Sequence, residues 1–174
     1  MKKRGQVWVE TVTYTLIAFV LIGMLLVFVQ PKIQQMQDHS VIDQSLSMMK
    51  QIDSTVQEVA QAGVGNKREV QISLSAGSIL FNSTDNSITF ELDGSYMYSE
   101  PDQTYHDGNI IVTTIQKGNI YIVTLKKKFI DYNMTYNNQK IIKKILKTGT
   151  PYNLYITNNG NNVGEKNTID FQLD

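Results

Sequence analysis

Glu10 is the residue of this chain whose chemistry most needs explaining, because it stands at the edge of an apolar stretch. The 21 residues from Thr11 to Pro31 carry no charge, and about 20 helical residues are enough to cross a hydrocarbon core. A carboxylate costs roughly 2.5–3.5 kcal/mol at the centre of such a span and less at its edge. No basic residue follows Glu10 within one helical turn. The sequence therefore predicts that a cationic group from elsewhere pairs with Glu10.

A cluster of basic residues precedes the apolar stretch, at Lys2, Lys3 and Arg4. The positive-inside rule predicts that this cluster stays in the cytoplasm and that the chain after Lys32 lies outside. A cleaved secretory signal peptide would have a shorter apolar region and a small-residue cleavage site, which residues 28–32 do not provide. We therefore expect a single-pass membrane anchor with a cytoplasmic N-terminus, spanning about residues 11–31.

The order of the residues around Glu10 is similar to that found in a known family of proteins. The run Lys3-Arg4-Gly5-Gln6, with Glu10 five positions after the glycine and an apolar helix behind it, resembles the precursor of a type IV pilin-like protein. The glutamine directly after the glycine and the short leader are similar to the archaeal class III signal peptide in particular. Many such leaders carry a serine two residues after the glutamine, where this chain has Trp8.

The resemblance implies a processing step and an assembly contact. A membrane prepilin peptidase would cleave the Gly5–Gln6 bond on the cytoplasmic side and remove the leader, residues 1–5. The apolar helix would stay on the mature chain as its anchor and later as filament core. Glu10 would pair with the new α-amino group of Gln6 on a neighbouring subunit and help to set the stagger between subunits. Removing three basic residues changes the formal net charge from zero to −3.

The apolar pattern continues beyond the membrane segment at spacings of mostly three and four, which predicts a single helix over residues 6–62. Such a helix is about 85 Å long at 1.5 Å per residue. Pro31 is expected to kink it, and Gly63 and Gly65 to end it. The apolar stripe is expected to pack on the protein's own globular domain or on other helices in a fibre. In a pilin-like chain both can hold, with the first half between subunits and the second half against the globular domain. The residues of the stripe are Ile33, Met36, Ser40, Leu46, Met49, Ile52, Val56, Val59 and Ala60.

The sequence of residues 63–174 predicts an extracellular β domain, because short β-branched and aromatic runs alternate with turn residues, among them Asp93-Gly94 and the asparagine-rich run 158–162. Lys117-Gly118 between two runs is a hairpin signal, and the fold expected is α+β, a long helix followed by an antiparallel β-sandwich. The run from Lys140 also fits a helix. The predicted strands are Glu69–Leu74, Ser78–Phe81, Ser87–Leu92, Asn109–Ile115, Asn119–Phe129, Lys140–Leu146, Tyr152–Thr157 and Thr168–Leu173.

Charge is segregated in this domain. Residues 85–107 hold six acids and no base, and residues 126–147 hold seven lysines and one acid. Such runs are usually solvated faces, but an acidic patch on one subunit meeting a basic patch on the next would orient an assembly. Asn82 and Asn133 each begin an N-glycosylation motif, Asn-Ser-Thr and Asn-Met-Thr.

Other residues with chemical potential are few. The chain has no cysteine and two histidines, which excludes disulfides and thiolate chemistry. His39 is expected on a solvated helix face. Tyr105-His106-Asp107-Gly108, with Asp102 upstream, could form a metal or acid–base cluster, but Gly108 predicts an exposed turn there. No hydrolase, P-loop, zincin or EF-hand pattern occurs. We expect no catalysis, no cofactor, no metal, no nucleic-acid partner and no small-molecule substrate.

The function expected from the sequence is structural. The chain would be a subunit of an archaeal type IV pilus-like filament, anchored in the membrane before assembly and extracellular afterwards, for adhesion or surface interaction. Its partners would be the membrane, the prepilin peptidase and other pilin subunits. The alternative is a minor or non-polymerising pilin-like protein whose anchored β domain binds a ligand. An anchored enzyme is a third hypothesis, but the chain lacks a catalytic constellation for it.

Overall fold

The computed structural model describes residues 3–161 and 165–174, with side chains from residue 7 onwards. One helix, α1, spans Lys3–Ala62 and is about 90 Å long at 1.5 Å per residue. It runs through Pro31 without interruption, and the kink expected there stays a prediction. Lys2, one of the three basic residues expected in the cytoplasm, lies outside the described residues.

The helix ends in a glycine-rich turn. Gly63 and Gly65 have φ values of 94° and 85°, a left-handed conformation that glycine adopts without steric cost. The side-chain amide of Asn66 donates hydrogen bonds to the carbonyl oxygens of Ala62 and Gly63, at 2.7 and 3.1 Å. These bonds satisfy carbonyl groups that the end of a helix leaves without partners.

In the part of the chain that the structure describes, ten strands follow the helix and form two sheets. The four-stranded sheet has the order β1-β9-β10-β7, and the six-stranded sheet has the order β4-β5-β6-β3-β2-β8. The expected α+β fold is confirmed. The strands are β1 (Lys67–Ile72), β2 (Ser78–Asn82), β3 (Ser87–Gly94), β4 (Thr104–Asp107), β5 (Ile110–Lys117), β6 (Ile120–Lys128), β7 (Asn133–Tyr136), β8 (Ile142–Leu146), β9 (Tyr152–Gly160) and β10 (Thr168–Leu173).

The structure corrects the expected strands in several places. β4 forms where an exposed turn was expected, and β7 was not expected at all. β7 pairs with β10 in parallel, so the sheets are not wholly antiparallel. Asp93-Gly94 and Asn158–Gly160 were expected to be turns, but they extend β3 and β9 because their backbones pair with neighbouring strands. Asn162, the end of that asparagine-rich turn, lies outside the described residues. The run from Lys140 contains β8 and no helix.

The inner faces of both sheets and the second half of α1 share one hydrophobic core. Strands alternate regularly: in β6, Val123, Leu125 and Lys127 are buried while their neighbours are more exposed. From Leu46 onwards the predicted helix stripe packs on the protein's own β domain, whereas its first three residues do not. Ile33, Met36 and Ser40 are exposed, because the β domain, called the head below, first covers the helix at Asp38.

Candidate functional site in the projecting helix and its joint with the head

The first half of α1 extends beyond the head, and no described part of the chain covers it. Every residue from 7 to 34 is exposed, a length of about 40 Å at 1.5 Å per residue. We call residues 7–34 the projecting helix. Its large side chains include Phe28 at 75% and Val27 at 70% exposure. Within the described residues, α1 is the one helix long and apolar enough to cross a membrane.

Three threonines in the projecting helix keep their hydroxyls bonded internally. Thr11, Thr13 and Thr15 each donate a hydrogen bond to the carbonyl oxygen four residues earlier, at 2.8–2.9 Å. A hydroxyl bonded in this way needs no external partner. The threonines are therefore compatible with an apolar environment, where an unsatisfied polar group would cost several kcal/mol, about the energy of one lost hydrogen bond.

The predicted cleavage and assembly residues lie at the start of α1. Gly5 and Gln6 belong to the helix, together with Lys3 and Arg4 of the basic cluster. Glu10 is exposed and follows Gln6 by four residues, a spacing that places two residues on one helix face. Cleavage after Gly5, pairing of Glu10 with the amine of Gln6 and the membrane orientation stay predictions.

The joint between helix and head begins at Asp38, which is only 6% exposed. Its carboxylate accepts hydrogen bonds from the backbone N–H and the hydroxyl of Ser95, at 2.6 and 2.9 Å, and from Gln34 Nε2, at 2.8 Å. The backbone approaches this closely because residue 94 is glycine. A Cβ on Gly94 would lie 2.8 Å from a carboxylate oxygen of Asp38.

Aromatic side chains pack on the helix directly after this joint. The His39 ring lies 4.8 Å from that of Tyr96 in an edge-to-face arrangement, and the Tyr98 hydroxyl donates a hydrogen bond to Asp43 at 3.0 Å. Burial and this hydrogen bond raise the pKa of Tyr98 above its usual range. His39 is half-exposed, with its ring nitrogen 3.5 Å from Asp43. It was expected on a solvated face, but it also stacks on the head.

A largely buried ion pair connects helix and head in the middle of the joint. Lys127 Nζ of β6 lies 2.7 Å from Asp53 Oδ1 of the helix, with side chains 10% and 13% exposed. The second carboxylate oxygen of Asp53 accepts a hydrogen bond from Asn109 Nδ2 at 3.2 Å. A charge pair withdrawn from water is stable only when its remaining hydrogen-bonding capacity is also satisfied. Asn109 supplies part of that capacity.

The predicted cluster around His106 is not brought together as a site. His106 lies on the exposed strand β4, and Asp107 pairs with Lys50 of the helix at 2.7 Å. Asp102 lies in the preceding turn with a φ of 59°. Among the described residues, no group of three or more histidine, aspartate or glutamate side chains could hold a metal ion.

The far end of the joint uses a buried asparagine that sequence reasoning missed. Asn158 of β9 has no exposed surface, and its amide donates to the carbonyl oxygens of Val59 and Ala60, at 3.4 and 3.5 Å. Its own carbonyl oxygen accepts from the N–H of Gly160 at 2.9 Å. The asparagine-rich sequence had suggested a turn, and nothing in it signalled a contact with the helix.

The segregated charges partly neutralise one another inside the head. Asp85 lies 2.6 Å from Lys126 Nζ and 3.1 Å from Lys128 Nζ, because β3 and β6 are neighbours. Hydrogen bonds from Lys126 first and Lys128 second lower the pKa of Asp85 from 3.8 to about 2. A contact between subunits would have to use the charges that remain, such as Lys143 and Lys144 on the edge strand β8.

The two glycosylation motifs lie in different surroundings. Asn82 ends β2, and its carbonyl oxygen accepts from the N–H groups of Thr84 and Asp85, both at 3.1 Å. Asn133 lies in β7, and Thr135 of its motif donates to the buried Asp170 at 2.6 Å. Asn82 is therefore at a surface turn, whereas the second motif is held in a paired strand. Glycosylation stays a prediction at both.

Comparisons with known proteins give no further identification. The chain matches no protein-family model, no curated protein sequence and no solved structure.

Breaking the Asp53–Lys127 pair should destabilise the joint. Asp53→Asn leaves the Lys127 ammonium without its counter-charge, so we expect the free energy of unfolding to fall by about 3 kcal/mol. The double variant Asp53→Leu/Lys127→Met, which removes both charges, should be more stable than Asp53→Asn. Urea unfolding of the full chain in detergent, followed by circular dichroism, measures both.

The matched control for this experiment is Arg68→Met. Arg68 lies 3.9 Å from Glu58 of the helix, with both side chains more than half exposed, and exposed pairs contribute about 0–1 kcal/mol. Equal losses from Asp53→Asn and Arg68→Met would contradict a special role for the buried pair.

The lowered pKa of Asp85 predicts that the free energy of unfolding depends on pH in the acid range. Its pKa is lowered on folding, so its contribution is present above its ordinary value of 3.8 and is lost as the pH falls towards 2. Asp85→Asn should therefore be less stable than the original chain at pH 6, and the difference should shrink between about pH 4 and pH 2. Urea midpoints measured across this range test it, and a constant difference would refute the assignment.

Proposed function

We propose that this chain is a structural subunit of an archaeal type IV pilus-like surface filament, held in the membrane before assembly. The observation that carries the proposal is the projecting helix: residues 7–34 have no cover in the single chain. Contiguous apolar surface of this extent marks a membrane or protein contact. A filament subunit needs such a helix twice, first in the bilayer and then among other helices.

The distribution of apolar residues around the projecting helix supports this double use. Phe19, Val20, Leu21 and Ile22 are consecutive and all at least half exposed, and successive residues point about 100° apart around a helix. A helix that is apolar on all sides is suited to burial on all sides. One stripe would be enough for packing against a single partner, whereas a bilayer or a bundle of subunits covers the whole circumference.

Removal of the leader would create the charged group that the proposed assembly contact requires. By the resemblance of Lys3-Arg4-Gly5-Gln6, a prepilin peptidase cleaves the Gly5–Gln6 bond and exposes an amine on Gln6. A carboxylate and an ammonium group attract each other far more strongly in an apolar core than in water. Glu10 of one subunit therefore pairs with the Gln6 amine of the next subunit during assembly. The pair specifies how far neighbouring helices are shifted along the filament.

The head would form the outer layer of the filament. Its joint with the helix, whose two ends are the contacts of Asp38 and Asn158, fixes the helix rigidly to the β domain. Packing of the helices therefore also positions the heads. Adhesion or another surface interaction then belongs to the head. We propose neither catalysis nor a cofactor. The alternative is a minor or non-polymerising pilin-like subunit, whose head acts as a binding module.

Glu10→Ala tests the assembly contact. The variant should be cleaved normally, because Gly5 and Gln6 are unchanged, but filaments seen by electron microscopy should fall at least tenfold. Gly5→Val should instead leave the precursor uncut in the membrane. Glu58→Ala is the matched control, because Glu58 is an exposed helix carboxylate on the half that packs on the head, and it should assemble normally.

Two results would contradict parts of this proposal. Normal filaments from Glu10→Ala would exclude the pairing role of Glu10. An original chain that is cleaved in cells yet never enters filaments would favour the non-polymerising alternative.

A further inference from the structure

The hairpin between β5 and β6 carries two exposed isoleucines near its tip. Gly118-Asn119 forms the turn, with Gly118 at a φ of 64°. Ile115 and Ile120 are 48% and 42% exposed, and Lys117 between them is exposed. Ile110, Val112 and Thr114 of β5 are buried inwards, so residues of the opposite parity, Ile115 and Lys117, point outwards. Ile120 pairs with Lys117 and therefore shares their face.

Two contacts show that β6 runs alongside the helix. Lys127 of β6 is bonded to Asp53. Six residues earlier, Tyr121 pairs with Gly94, whose neighbour Ser95 is bonded to Asp38. The fifteen helix residues from 38 to 53 rise about 22 Å at 1.5 Å each, and six strand residues span about 20 Å at 3.3 Å each. Because these lengths nearly agree, strand and helix are close to parallel.

The same geometry places the hairpin tip at the level of the helix where the uncharged span ends. The turn lies two to three residues beyond Tyr121, about 8 Å further along the strand. This distance corresponds to about five helix residues below Asp38, which is the level of Lys32 and Ile33. The uncharged span ends at Pro31. The tip of the head and the end of the membrane segment therefore lie at one height.

We propose that this tip is a second membrane contact of the chain before assembly. Ile115 and Ile120 insert among the lipid headgroups of the outer leaflet, and Lys117 meets lipid phosphates. The inference rests on the membrane anchoring in the proposed function. Lys32, at the same height on the helix, adds a second cation facing the phosphates. Two acids of β3 share this face: Asp93 lies at the level of Ile115, because both pair with Ile122, and Glu91 pairs with Thr124. Both lie further from the turn than Lys117 and Ile120.

Such a contact has a consequence for assembly. A head that is attached only through the helix tilts with the helix. A head with an inserted tip rests on the bilayer at a defined angle, and exposed apolar side chains beside a lysine are typical of interfacial contacts. Extraction of the subunit must then free the tip as well as the span.

A tryptophan reporter tests the proposal. The chain has one tryptophan, Trp8, so Trp8→Phe gives a dark background into which Ile120→Trp is introduced. The full chain is reconstituted into liposomes that contain anionic phospholipid brominated high on the acyl chain. We expect at least twofold quenching of the indole fluorescence of the Ile120→Trp variant. Ile115→Trp should behave in the same way if one substitution perturbs the turn.

Ile142→Trp in the same background is the matched control. Ile142 is an isoleucine of the same sheet, 59% exposed. Strand pairing through Asn82 and Ser87 places it at the level of Lys128, about 23 Å further from the bilayer than Tyr121 at 3.3 Å per residue. Its fluorescence should not be quenched. Quenching at Ile120→Trp and Ile115→Trp no greater than at Ile142→Trp would overturn the proposal.

Flotation of the same liposomes separates this inference from the proposed function. Chain that floats with lipid but shows no quenching at the tip refutes the second contact and leaves the anchor intact. Chain that does not float refutes both. Quenching at the tip in a chain that forms no filaments in cells supports the membrane contact and contradicts the filament.

Discussion

The constraint on which the structure depends is that the head buries one half of the helix and leaves the other half uncovered. From Asp38 to Val59 its inward face is buried by the head, so this half is satisfied within the chain. Residues 7–34 are exposed on every side, and water is a poor environment for that surface. The chain by itself cannot cover it. The proposed membrane anchor and the proposed packing of helices in a filament would each bury this surface.

The head contributes by fixing the helix in position. Hydrophobic packing alone would tolerate small rotations or shifts of the helix, because apolar contacts are not directional. The polar contacts at Asp38, Asp53 and Asn158 are directional and largely buried. Moving the helix by one residue would leave those groups without partners, at a cost of roughly 1–3 kcal/mol each. In the proposed filament, this joint would let the packing of the helices determine where the heads lie.

Much of the fold could be predicted from the sequence, because local signals mark it. Hydropathy indicates the projecting helix, the glycines at 63 and 65 mark a stop, and alternation indicates most strands. β4 was missed because all four of its residues are at least partly exposed, which removes the alternation. β7 has only four residues, too few for a periodic signal. The apolar Ile33 and Met36 looked like part of the buried stripe, because sequence alone does not show where the head begins.

The polar contacts of the joint could not be predicted. Asp38 is bonded to a residue 57 positions away, and Asn158 to one 99 positions away, distances over which no sequence pattern links two residues. Asp53 and Asn158 look like ordinary surface residues until the fold brings their partners together. The residues of the proposed cleavage and assembly contact show the opposite case. The roles proposed for Gly5, Gln6 and Glu10 come from their order in the sequence. The fold of a single chain does not test these roles.

The most direct measurement is the N-terminal peptide of the chain isolated from the cell surface, determined by mass spectrometry on a fraction examined by electron microscopy. The account predicts a mature chain that begins at Gln6, lacks residues 1–5, and is found in filaments. A surface chain that begins at any other residue, or that retains the leader within filaments, would contradict it.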